Sequence, residues 1–120
     1  MDQLQLLPPS LEELIPSKHM VRVINELIDN MELPEIRKSY KGGGTSSYHP
    51  KMLLKVIVYA YASQMYSGRQ IAKAVRENIP FMWISGGNRP DFRTINRFRS
   101  EKLKGKIQVI FTEVLEYLIE

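Results

Sequence analysis

Residues 50–65 constrain this chain more than any other stretch. Pro50 suits the first position of a helix, where its missing N–H and fixed φ cost nothing. The residues after it are apolar nearly all the way round: Met52, Leu53, Leu54, Val56, Ile57, Val58, Ala60, Ala62 and Met65. A helix with apolar residues on every face is stable in water only when other elements surround it. The longest apolar run, Val56 to Ala62, is far shorter than the roughly 20 residues a bilayer span needs. The pattern predicts a buried central helix. Its polar edge is Lys51, Lys55 and Tyr59, spaced by four.

The flanking segments are also helical in period. Ser10 opens a short helix through Leu11–Ile15, with Glu12 and Glu13 in its first turn, where acid favours the positive end of the helix dipole. Pro16 ends it. Ser17 is positioned to cap a second helix over 18–30, in which Met20, Val23, Ile24, Leu27, Ile28 and Met31 recur at helical spacing. Residues 32–49 read as a linker built around Gly42, Gly43 and Gly44. That triplet lacks the lysine and spacing of a phosphate-binding P-loop, so flexibility is its expected use. After the central helix, Ser67 can cap a helix over 69–78, Pro80 starts an aromatic turn through Phe81–Ile84, and Asp91 can cap a helix running to about Leu103. Gly105 breaks the chain before a last helix, 106–120, whose expected apolar side is Val109, Ile110, Val114, Leu115 or Leu118, and Ile119. That helix carries neither a glycine cap nor terminal basic residues and is expected to be cut short by the chain end. No segment alternates apolar and polar residues as a strand would. The expected fold is all-α, a compact bundle of five or six helices containing a helix-turn-helix-like pair.

Composition narrows the function classes. Of 120 residues, 43% are hydrophobic and 25% charged, ordinary for a globular chain. Cysteine is absent. That excludes disulfides, thiolate metal sites and cysteine nucleophiles and suits a reducing compartment. Met1 is followed by acidic and polar residues, not by a basic start and an apolar run, so no signal peptide is read and the expected location is the cytoplasm, with no membrane partner. Charge is unevenly placed. Residues 1–49 hold five basic and seven acidic side chains, residues 50–106 twelve basic and three acidic, and residues 107–120 three acidic and no basic ones. A contiguous cationic stretch is the footprint of a polyanion partner, although a solvated basic surface has the same composition.

Within that stretch two helices share one design. At about 100° per residue, Phe92, Ile95, Phe98 and Leu103 fall in one arc, expected to face the core, and Arg93, Asn96, Arg97, Ser100 and Lys104 fall opposite. Arginine can pair bidentately with guanine and asparagine with adenine in the major groove, while serine and lysine suit phosphates. Arg99 falls on the apolar arc and is expected to snorkel or to meet a carboxylate. The preceding helix places Ile71, Ala74 and Val75 inward and Arg69, Lys73 and Arg76 outward. Such a pair resembles a helix-turn-helix, although the connection 79–90 exceeds its usual 3–4-residue turn. The alternative is an ordinary amphipathic pair with a wet face. Catalysis finds little support: His19 and His49 each sit at a helix start, and the carboxylates are scattered with no strand framework to converge them on two metals. No metal or other cofactor and no small-molecule substrate is expected. Trp83 and Phe81 suit the core better than a base-stacking platform.

Several motifs carry a family likeness: Tyr48-His49-Pro50, Leu53-Leu54-Lys55, Tyr59-Ala60-Tyr61, Ser67-Gly68-Arg69-Gln70-Ile71-Ala72, Asn78-Ile79-Pro80-Phe81-Met82-Trp83-Ile84, and above all Pro90-Asp91-Phe92-Arg93-Thr94-Ile95-Asn96-Arg97-Phe98-Arg99. With Leu14-Ile15-Pro16 and His19 they resemble, in order, the N-terminal domain of bacterial insertion-sequence transposases of the InsH-like, DDE type. The resemblance implies a helical region that recognises terminal inverted repeats, followed by an RNase H-like domain with an Asp-Asp-Glu triad, none of whose positions maps onto this chain. Phe92 departs from it, since many members carry histidine there.

The combined reading is a transposase DNA-binding domain whose partner is double-stranded DNA, the terminal inverted repeats. Arg93, Asn96, Arg97 and Ser100 read bases, and Arg69, Lys73, Arg76, Arg89 and Lys104 anchor the backbone. The chain divides into an N-terminal helical segment 1–31, the linker 32–49, and a DNA-binding domain 50–120. The alternatives are a stand-alone regulator of transposition with the same chemistry, and a protein-interaction module that pairs, for example, as a homodimer through its last helix.

Overall fold

The computed structural model describes residues 9–31 and 48–119, so the Gly42–Gly44 segment lies outside the described residues. Seven helices occur among them: α1 (Pro9–Glu13), α2 (Met20–Asp29), α3 (Pro50–Ala62), α4 (Gly68–Glu77), α5 (Ile79–Ile84), α6 (Phe92–Glu101) and α7 (Ile107–Ile119). The described residues contain no strand. The fold is all-α. The helix beyond the expected five or six is α5, read from sequence as a turn. Asn78 caps it by accepting from the Phe81 N–H at 3.4 Å, and Pro80 occupies its first turn.

The central helix is α3, which touches α2, α4, α5 and α6. Leu54, Val56, Ile57, Val58 and Ala60 are wholly buried. They join Val21, Ile24 and Ile28 of α2, Ile71 and Val75 of α4, Phe81 and Ile84 of α5, Ile95 and Phe98 of α6, and Ile110 and Val114 of α7 in one core.

Helix starts follow local chemistry. Ser67 Oγ accepts from the N–H groups of Arg69 and Gln70, and Asp91 Oδ1 from that of Thr94. The hydrogen bond from Thr94 holds the Asp91 carboxyl below its usual range, with Arg93 adding to the effect. Because the folded value is lowered, this cap's contribution is present above the ordinary carboxylate range and lost as pH falls through the lowered value. Both histidines cap helices. The Nδ1 of His19 accepts from the Val21 N–H, and that of His49 from the Lys51 N–H, each at 3.0 Å. The cap of α2 is therefore His19, not Ser17.

Three further expectations change. α3 stops at Ala62, not Met65, because Gln64 adopts φ 62°. The Met65 N–H returns to the Ala60 carbonyl (2.8 Å) and the Gln64 N–H to that of Tyr61 (3.0 Å), the paired bonds of a Schellman ending. Glutamine at a position that favours glycine hid this stop. The polar edge of α3 is not a solvent face. Lys51 Nζ donates to the Asp29 carbonyl, Lys55 Nζ pairs with the Asp29 carboxylate at 2.7 Å, and Tyr59 is buried against Phe81. Finally, α7 is rolled from its expected orientation. Val109 and Leu115 point outward, while Ile107 and Phe111 pack on the core beside Ile110 and Val114, with Phe111 edge-on to Tyr61.

Candidate nucleic-acid interface

α4 and α6 lie against each other and against α3, each with its apolar side in the core. Their outer sides carry the cations. Arg69, Lys73 and Arg76 on α4 and Arg93 and Arg97 on α6 are exposed, as are Ser100 and, at the two ends of α6, Arg89 and Lys104. Among the described residues none of these cations forms an ion pair with a carboxylate. The two helices bring their cations to one ring: the Arg69 guanidinium lies 3.8 Å above the Phe92 centroid and that of Arg93 lies 5.5 Å from it. Stacking on an aromatic face restrains an otherwise mobile arginine.

That arrangement corrects the reading of Phe92. It is half-buried and outside the core cluster, because at the first position of α6 its ring reaches the start of α4 and serves as a shelf for Arg69. Ile95, Phe98 and Leu103 take the core side as expected. Ser100 Oγ donates to the Arg97 carbonyl at 3.2 Å. Asn96, though exposed, has its Oδ1 engaged at 2.6 Å by Arg99 Nη2. Among the described residues Arg99 meets no carboxylate. Its Nη1 donates to the Tyr66 carbonyl at 2.6 Å and to the Tyr61 hydroxyl at 3.3 Å. The geometry is thus an exposed cationic face on two packed helices, joined by an Arg69–Phe92–Arg93 stack.

The family described as Transposase domain (DUF772) matches residues 9–101. The chain belongs to this family. No curated protein matches, and no solved structure does.

The match begins before the cationic helices, and in this transposase domain the N-terminal part is fastened to the rest by polar contacts. Arg22 of α2 donates to the Glu12 and Ile15 carbonyls at 2.7 and 2.9 Å, which closes the free carbonyl end of α1. It also pairs with Glu12 Oε2 at 2.6 Å, while Trp83 Nε1 donates to Glu12 Oε1 at 2.7 Å. Hydrogen bonds from Arg22 first, then Trp83, hold the Glu12 carboxyl below its usual range. Trp83 thus packs beside the core, as expected, but also holds α1 by its indole N–H. Glu12 and Trp83 are separated by 71 in sequence, and only chemistry, an arginine after a helix-ending proline, hints at the cap.

An open groove of ≈ 490 Å³ lies between α1, α2, α3 and α5, lined in part by Glu12, Asn25, Lys55 and Trp83, and it shares no residue with the cationic face. Among the described residues no three His, Asp or Glu side chains gather as a metal site, and no helix is long and apolar enough to cross a membrane.

Proposed function

We propose that this transposase domain binds double-stranded DNA at the terminal inverted repeats of an insertion sequence and does not itself cut it. The observation that carries the reading is the outer face of α4 and α6, where five exposed cations have no carboxylate partner among the described residues and stand on helices whose inner faces are packed. Such a surface has no ion pair to break before it meets phosphates, and packed helices can present arginines to a groove. Arg93 and Arg97 on α6 are the base readers, with Ser100 beside them. Arg69, Lys73, Arg76, Arg89 and Lys104 hold the backbone. Several carboxylates already have structural work: Glu12 binds Arg22 and Trp83, Asp29 binds Lys55, and Asp91 caps α6. This supports a binding domain rather than a two-metal nuclease.

The test is fluorescence anisotropy of labelled duplexes carrying the element's terminal repeat or a scrambled sequence, at several salt concentrations. The chain is expected to prefer the repeat and to release counterions on both duplexes. Lys73→Ala and Arg76→Ala should weaken both complexes alike and each flatten the slope of log K against log salt by about 0.9. Binding to neither duplex, or no preference between them, would remove the reading. With magnesium or manganese the pure chain is expected to leave a supercoiled plasmid intact. Nicking that a carboxylate substitution in this chain abolishes would show a catalytic site instead.

A further inference from the structure

Arg99 is the one arginine of α6 on the apolar side of the helix, and its partners are unusual. It is half-buried, and its guanidinium donates to the Tyr66 carbonyl in the turn before α4, to the Tyr61 hydroxyl of α3 and to Asn96 Oδ1 of α6. The Asn96 amide in turn lies directly on Gly68, the first residue of α4. A Cβ there would stand 2.4 Å from Asn96 Oδ1 and 2.9 Å from its Cγ. Gly68 is not in a left-handed conformation, so a side chain there would meet the Asn96 amide rather than backbone strain. Just before it, Ser67 caps α4 through the N–H groups of Arg69 and Gln70.

The buried faces of α4 and α6 are apolar, and non-directional apolar contacts constrain the roll of one helix on the other less sharply than directional ones do. A planar guanidinium with fixed donor directions does specify it. We infer that Arg99 is a positioning residue: through Asn96 and the bare backbone at Gly68 it holds α6 at one rotation against α4, and so sets where Arg93 and Arg97 point relative to Arg69. The inference rests on the DNA-binding reading above for its consequence, but the lock is a property of the protein by itself.

Both parts are measurable. Arg99→Lys keeps the charge, yet one ammonium cannot reach three acceptors spread over a fork. Gly68→Ala pushes the Asn96 amide off α4. Each is expected to lower the repeat-to-scrambled affinity ratio about tenfold, comparable to losing a base contact. Arg99→Gln should leave the salt slope on scrambled DNA unchanged. A slope flatter by about 0.9 would make Arg99 a phosphate ligand and overturn the inference, and so would an Arg99→Lys protein with wild-type selectivity. Without DNA, the melting-temperature drops of Arg99→Lys and Asn96→Ala should not add in the double variant, because the two side chains act through one contact. Additive drops would overturn the lock even if Gly68→Ala fails to fold. If the wild-type chain prefers neither duplex, the DNA-binding reading falls, and the double-variant cycle still decides whether the lock exists.

Discussion

Leu54→Ala is expected to lower the unfolding free energy by about 2–5 kcal/mol, and Ile57→Ala by a similar amount. Both side chains are at 0% exposure in the helix that α2, α4, α5 and α6 surround. Truncation there removes buried methyl groups and leaves a cavity that four neighbours cannot all collapse into. Val109, on the outer side of α7 at 60% exposure, is the control. Val109→Ala should stay within about 0.5 kcal/mol of wild type. Denaturant unfolding measures both, with an unchanged m-value required for a two-state comparison. Amide exchange gives a second view, since the amides of α3 should be the most protected of the chain. A cost below about 1 kcal/mol at Leu54 would mean that α3 is not the core helix.

Arg93→Ala and Arg97→Ala should each cost about 1–3 kcal/mol on the cognate repeat and less on scrambled DNA. Both are exposed on the outer side of α6, and neither is in an ion pair with a carboxylate among the described residues. Arg93 also shares the Phe92 ring with Arg69. Phe92→Ala should therefore weaken binding through loss of the shelf, with less effect on selectivity than Arg93→Ala. Leu103→Ala is the contrasting case. Leu103 is at 0% exposure just beyond the end of α6, so its loss should lower stability while protein that remains folded binds as before. If Arg93→Ala and Arg97→Ala leave the repeat-to-scrambled ratio untouched, α6 does not read the sequence.

Much of the architecture was legible because it is local. The caps at Ser67 and Asp91 and the helix-starting positions of His19 and His49 each depend on a side chain reaching backbone groups two or three residues away, and the break at Gly105 on a left-handed φ that glycine adopts freely. The buried status of α3 was legible too, since Lys55 is the one charged residue in Leu53–Ala60 and leaves a surface helix almost no polar side to use. The outward cations of α4 and α6 followed from helical period alone. The stop at Gln64 did not, because a glutamine in the left-handed region carries no sequence signal.

Amino-acid order by itself determined the helical class, the central helix, the main caps and which cations share a face, since these depend on period and on neighbours within one turn. Tertiary structure decided the rest. Lys51 and Lys55 became fasteners to Asp29, Phe92 became a shelf for Arg69, Arg22 and Trp83 tied down α1 through Glu12, and Asn96 turned onto Gly68 under Arg99. Each of these contacts joins side chains on different helices or holds one against a neighbouring helix. The same side chain is a solvated charge or a structural bond according to how two helices roll on each other, and the periodicity of one helix contains no information about the rotation of the next.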